Sequence, residues 1–401
     1  MPVPGDNREI GCWGVKRVGI VAAGHVGFSS MSPGLSYKEL VFEAAVRAYH
    51  AAGIDPRRDV DSFVCASEDL LEGTSFFDEY VPDQLGAVLR PVQTVAAEGL
   101  FALATGVMLI RSGIADVVAC EAHSKASDIL TLPDVVAFAL DPVFERPLGV
   151  HPWFVAGLDM RRFLAGSGAT LDQCAEVVAK NRTNALDNPS AAYAASLTAA
   201  DVAASPQVFE PLRELDCPRT ADGAVVMVLA GEERARALCE RPVWVDGVGW
   251  STEAPSLSTR TWGSAEYARR AAERAYAQAG IGDPAREIDV AEVDDTFSYS
   301  ELQHLEALGL AEPGRAGRLT AEGGTQRSGT LPVNPSGGSL GRGYLFEANG
   351  LARLSDLVSQ LRGEAGACQV DGARVGLAQS WRGVPTATGA VAVLSVDERA
   401  W

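Results

Sequence analysis

Apolar residues along the chain fall into two kinds of run. Short continuous runs rich in valine and isoleucine read as buried strands; longer runs with polar residues at every third or fourth position read as helices. VKRVGIVAAG from Val15 and PVWVDGVGW from Pro242 are of the first kind. A helical stretch follows each, and the two nearly coincide: AAVRAYHAAGI at 44–54 and AAERAYAQAGI at 271–281. Both end at a glycine, Gly53 or Gly280, which suits a helix stop. A second apolar run follows in each copy, VDSFVCASED and then IDVAEVDDTFS. Strand–helix–strand twice over predicts a duplicated α/β fold.

The copies continue. VAAEGLFALATGVMLIRSG leads to a strand ADVVACEA in the first half. In the second, the turn NPSGGSLG leads to a helix YLFEANGLARLSDLVSQLRG, a strand ARVGLAQS and a closing strand GAVAVLSV. The longest apolar stretch, residues 92–110, is interrupted by Gln93, Thr94, Glu98 and Thr105. A membrane span of about 20 residues tolerates this poorly, so a helix buried in a large domain is expected there. Residues 125–222, rich in Pro, Arg and aromatics, are expected to be an inserted loop region, a common place for substrate contacts. Residues 1–124 and 223–240 then form the N-terminal half, and 241–401 the C-terminal half.

Composition narrows the function. A chain of 401 residues that is 47% apolar and 21% charged can bury a sizeable core. The net charge of −18 repels phosphate backbones and argues against nucleic-acid binding. Only Lys16, Lys38, Lys125 and Lys180 are lysines, few for Schiff-base chemistry. Seven cysteines without a CxxC read as reduced thiols of a cytoplasmic protein, without a zinc site. The five histidines lack ligand spacing, so no metal centre is expected. Asp6, Arg8 and Glu9 precede any apolar run, so no targeting signal is expected.

Several motifs occur in one order. NPSGGSLGRGYLFEANGLA (334–352) is similar to the thiolase NxSGGxxxxGHPxGATG segment. EVDDTFSYSELQHLEALGL (292–310), NRTNALDNPSAAY (181–193) and LDCPRTADGAVVMVLA (215–230) resemble segments of the sterol-carrier-protein-type thiolases. The resemblance covers nearly the whole chain. It implies a five-layered α/β/α/β/α fold with two pseudo-symmetric halves, an acyl-CoA thioester as substrate, and at least a homodimer. No cofactor is implied beyond coenzyme A as part of the substrate.

The same resemblance implies a changed reaction. Thiolases place a nucleophilic cysteine at the start of the central helix, where the helix dipole favours the thiolate. The aligned stretch AAEGLFAL puts Ala96 there. The family's G-H-P histidine is replaced by Tyr344, and the histidine of the H-D-C-F segment by Asp294, beside Asp295. The thiolase-like steroid side-chain aldolases also carry a G-x-x-Tyr segment and act on CoA thioesters without an acyl-enzyme. They carry a second tyrosine where this chain has Asp294, with Tyr299 five residues on. They work with a small zinc-bearing OB-fold protein that binds acyl-CoA, here necessarily a separate chain. The resemblance therefore implies retro-aldol cleavage of a bulky β-hydroxyacyl-CoA, possibly of a steroid side chain.

In such a reaction Tyr344 or Asp294 takes the hydroxyl proton, and Tyr299 or Asp295 relays it. N–H groups of the Gly337-Gly338 turn and of the helix start at Ala96 bind the enolate oxygen. Glu98 could serve as a base at the former nucleophile site. Structural roles stand beside these: Tyr344 filling the old histidine cavity, Asp294 and Asp295 capping a helix near Ser298, Tyr299 packed in the core, and Glu98 facing a helix dipole. Glu121 and His123, just past a strand end, could reach the pocket. Two other functions stay open: an inactive acyl-CoA-binding subunit of a hetero-oligomer, and an acyltransferase that forms carbon–carbon bonds without an acyl-enzyme.

Overall fold

The computed structural model describes residues 16–68, 71, 76–254 and 256–396. Residues 1–15, on which the expectation about targeting rests, lie outside them. Strand β1 (Val18–Ser29) leads through helix α1 (Tyr37–Ala52) to β2 (Ser62–Ala66) and β3 (Val92–Val95). Helix α2 (Gly99–Arg111) and β4 (Val117–Lys125) follow. Helices α3 (Pro152–Ser167) and α4 (Leu171–Asn184) precede β5 (Asp222–Gly231). Then come β6 (Val243–Thr252), α5 (Glu266–Ala279), β7 (Val290–Glu292) and α6 (Ser298–Ala307). Helices α7 (Gly338–Arg342) and α8 (Asn349–Arg362) and strands β8 (Val375–Trp381) and β9 (Thr388–Ser395) complete the fold.

The strands form one sheet in the order β3-β2-β4-β5-β1-β6-β9-β8-β7. It is two half-sheets joined at a seam, because β1 and β6 pair only through Gly19–Trp244 and Ile20–Val243. Each half repeats one pairing scheme. In the first, β2 is parallel to β3 and β4, and β5 is antiparallel to β4 and β1. In the second, β7 is parallel to β8, and β9 is antiparallel to β8 and β6. The place of β3 is marked there by the single parallel bridge Ala291–Val333.

Helices cover both faces of each half-sheet. Val226, Val228 and Ala230 of β5 meet α1 in an outer core; Val225, Met227 and Leu229 face a central core shared by α2 and α8. This period-two division, with both faces buried, explains the near-continuous apolar strands. A third core packs α5 and α6 on the second half-sheet, which completes five layers. The sequence repeat is the docking face of two equivalent helices. A β-carbon on Gly24 of β1 would collide with α1 at Ala44 and Ala48, and one on Gly247 or Gly249 of β6 with α5 at Ala275 or Ala271. Small residues on both sides allow this approach.

Two expectations need correction. Residues 92–110 are not one helix: Val92–Val95 is a strand, and the helix starts at Gly99. The helix expected from Tyr344 starts at Asn349, after a separate short α7 and a 3₁₀ turn at Phe346–Ala348. No described helix is long and apolar enough to cross a membrane.

Candidate active site

A cleft with about 830 Å³ of open space lies where the ends of the two halves meet the segment between β4 and β5. Leu132, Pro133, Val136, Pro152 and Trp153 from that segment form an apolar wall. The polar lining includes Glu98, Tyr344, Thr296 and His151. None of the described lining residues is a cysteine.

Glu98 is the N-cap of α2, and its Oε2 accepts the Leu100 N–H at 3.0 Å. It is only 2% exposed. Burial pushes its carboxyl pKa up to about 7, and the nearby Asp294 charge adds to this. The Ser380 hydroxyl, the Leu100 N–H and Arg353 oppose the shift without cancelling it. A carboxyl that titrates near neutrality inside a cleft can take a proton and return it.

Tyr344 is held by its backbone. Its N–H donates to the Arg219 carbonyl at 2.8 Å and its carbonyl accepts from Ala221 N–H at 2.9 Å. Its ring packs on Phe346, with centroids 4.6 Å apart, and its hydroxyl lies over Gly383. Among the described residues nothing hydrogen-bonds that hydroxyl. Burial, and then the charges of Asp294, Glu347 and Glu68, push the phenol pKa well above its usual value. Tyr344 therefore stays protonated at neutral pH and acts as a hydrogen-bond donor, not as the base.

Other sequence-predicted residues lie elsewhere. Asp295 is fully buried and caps α7: it accepts the N–H groups of Ser339 and Leu340 at 2.6 and 3.1 Å and the Asn181 amide at 2.8 Å. Asp294 accepts the Thr296 N–H at 3.0 Å, and its other oxygen lies 3.1 Å from Arg353. Neither aspartate lines the cleft, and neither caps α6, whose N-cap is Phe297. Tyr299 is packed beside Phe297 and Phe163 and hydrogen-bonds Asp159, away from the cleft. Ala96 is exposed, in a bend ahead of the helix it was expected to start. The Gly337-Gly338 turn does not line the cleft either; Gly337 N–H goes to the Asn334 carbonyl, and the N–H groups of Ser339 and Leu340 go to Asp295. Glu121 and His123 face the outer core, where His123 stacks on Tyr37 and Phe77.

The α7 cap makes one stability prediction. Gly338 has φ +56°, and a β-carbon there would collide with the Asp295 carboxylate. Gly338→Ala is expected to cost about 2–3 kcal/mol, from left-handed strain plus displacement of a buried ion. It would be read as a lower urea midpoint at unchanged slope.

His151 and Thr296 were missed from the sequence. His151 is the N-cap of α3, its Nδ1 accepting the Trp153 N–H at 3.1 Å, and it stacks on Phe209 with centroids 4.9 Å apart. Burial lowers its pKa, so Nε2 carries the proton of a neutral ring. Pro152 at the first helical position was the available signal, since it marks the preceding residue as an N-cap. Thr296 had no such signal. Among the described residues no group of three or more His, Cys, Asp or Glu could hold a metal ion.

A family description, thiolase C-terminal domain-like, matches residues 249–396. The chain is 32% identical to the acetyl-CoA acetyltransferase of Methanothermobacter thermautotrophicus, over 91% of this chain and 95% of that one. It is 30% identical to the 17-hydroxy-3-oxo-4-pregnene-20-carboxyl-CoA lyase of Mycobacterium tuberculosis, over 92% and 97%, and 30% identical to human sterol carrier protein 2, over 90% and 69%. The solved Ltp2-ChsH2(DUF35) aldolase superposes with a TM-score of 0.82 at 27% identity, over 96% of this chain and 98% of that chain. With this fold and these relatives, the chain belongs to the thiolase superfamily, in the branch of the sterol-carrier-protein-2-type thiolases.

Proposed function

We propose that this protein is a carbon–carbon lyase that cleaves a bulky β-hydroxyacyl-CoA by a retro-aldol reaction. The observation that carries the proposal is the pairing, in one cleft, of a glutamate that titrates near pH 7 with a tyrosine that stays protonated. Glu98 takes the β-hydroxyl proton. The oxygen electron pair forms the ketone, and the Cα–Cβ bond breaks. Its electrons move into the thioester as an enolate, whose oxygen accepts a hydrogen bond from the Tyr344 hydroxyl. The proton on Glu98 then returns to Cα, giving a shortened acyl-CoA. No thiol takes part in these steps.

The apolar wall fits a large hydrocarbon acyl group. The mycobacterial relative is named as a lyase of a steroid-derived CoA ester, which supports a steroid side chain as the acyl class. The aldolase of similar fold is named together with a DUF35 protein. A separate zinc-bearing OB-fold chain of that kind is the partner proposed here. A homodimer through the β3 edge would cover Leu89, which is fully exposed beside it.

The test is direct. Protein with and without a DUF35-type partner is given β-hydroxyacyl-CoA thioesters of steroid and simpler branched acids. Release of ketone and shortened acyl-CoA is expected. No release across the set, or an acyl-cysteine adduct seen by mass spectrometry during turnover, would overturn the proposal. The adduct would favour acyl transfer, the activity in the name of the methanogen relative.

A further inference from the structure

We infer that Thr296 is a further catalytic residue, whose hydroxyl gives the thioester oxygen a second hydrogen bond as that oxygen becomes an enolate. This rests on the lyase function proposed above. Thr296 lines the cleft and is 2% exposed, yet its Oγ1 has no hydrogen-bond partner among the described residues. A buried hydroxyl without a partner costs about 1–3 kcal/mol, so native proteins leave few of them. A bound substrate supplies the missing acceptor.

The backbone at this position is fixed. Thr296 N–H donates to Asp294 at 3.0 Å, and the next N–H, of Phe297, donates to Ser300 Oγ at 3.1 Å. The Asp294 carboxylate beside it is paired with Arg353, which offsets part of its charge.

Several nearby backbone donors are committed. Ser339 and Leu340 N–H hold Asp295, and Leu100 N–H holds Glu98. Glu68, Glu98 and Glu347 in the same cleft are acceptors when ionised and cannot stabilise an oxyanion. Tyr344 gives the enolate one hydrogen bond, and the His151 Nε2–H lines the same cleft. Thr296 completes a two-donor site, the usual arrangement where charge develops on a carbonyl oxygen. The hydroxyl donates without losing its proton. The electron pair from the broken Cα–Cβ bond ends on the thioester oxygen and returns to Cα when Glu98 delivers the proton.

Thr296→Val keeps the shape and removes the donor. It is expected to lower kcat by about 10–100-fold with KM within about twofold, and Thr296→Ser to restore most of the loss. If the wild type releases no ketone, the lyase function fails, and this inference falls with it. If the wild type turns over and Thr296→Val matches its kcat, or raises KM alone, only the role of Thr296 is overturned. Should the valine variant not fold, Thr296→Ala replaces it: the same loss of kcat is expected, and wild-type kcat overturns the role.

Discussion

Glu98→Gln is expected to lower kcat about a thousandfold and, in the same molecule, to raise stability above pH 7. A general base contributes roughly 10²–10⁴ in rate, and the other two cleft glutamates are engaged, Glu68 by Arg382 and Glu347 by the Glu68 N–H. Wild-type kcat should rise with pH and level off above the Glu98 pKa of about 7. The glutamine variant should be flat across that range at its residual rate. The stability effect follows from the same burial. The folded-state pKa lies above the ordinary value of 4.5, so between pH 4.5 and 7 the folded protein holds a proton that the unfolded chain releases. Stability therefore falls as pH rises through that window, and the full cost, up to about 3 kcal/mol, is present above it. Glutamine carries no charge to bury. Urea unfolding should give matched midpoints near pH 4.5 and a higher midpoint for the variant at pH 8. Equal midpoints at both pH values, or a variant that turns over at the wild-type rate, would remove Glu98 from the base role. A gain in stability on losing activity is the pattern of a site built for function.

Much of the fold was legible because it is written in short-range pattern. The apolar runs of β1, β2, β4, β6, β8 and β9 and the glycine stops at Gly53 and Gly280 are local signals, and each lies where it was read. The failure at residues 92–110 was also local. Strand β3 runs into the apolar α2 with only the bend at Ala96–Ala97 and the Glu98 cap between them, and periodicity does not separate two adjoining buried elements. The site was harder, because side-chain direction there depends on distant segments. Nothing near Asp294-Asp295 shows that Asp295 turns to the N–H groups of Ser339 and Leu340, or that Arg353 lies between both carboxylates. Tyr299 was read as a stand-in for a missing tyrosine by its distance along the chain. In the first turn of α6 it packs into the core beside Phe163 instead. Glu98 and Tyr344 reach the cleft because each sits at a break, a helix cap in one case and a bridge to Thr220 in the other. His151 and Thr296 come to it from segments far apart in the sequence, and their meeting is a property of the assembled chain.

Tyr344→Phe is expected to lower kcat by about 10²–10³ with KM nearly unchanged, because the hydroxyl meets its strongest acceptor only when the thioester oxygen becomes an enolate. Stability should stay level or rise slightly, since no described residue uses the hydroxyl and its removal orphans no partner. These signs separate catalysis from packing: a tyrosine that merely fills an old cavity would lose neither rate nor stability when only its oxygen is removed. The pH profile sharpens the distinction. Burial and the surrounding carboxylates keep the phenol protonated through the working range, so the wild type should show no fall in kcat up to pH 9. The phenylalanine variant should keep the rise near pH 7 that belongs to Glu98, at a lower plateau. Loss of that rise would mean that Tyr344 acts through the glutamate. Combining Tyr344→Phe with Glu98→Gln gives the last constraint. Base and donor act in one bond-breaking step, so the double variant should lose much less than the product of the two single losses. Fully multiplicative losses would place the two groups in separate steps, with proton removal from the hydroxyl preceding cleavage of the carbon–carbon bond.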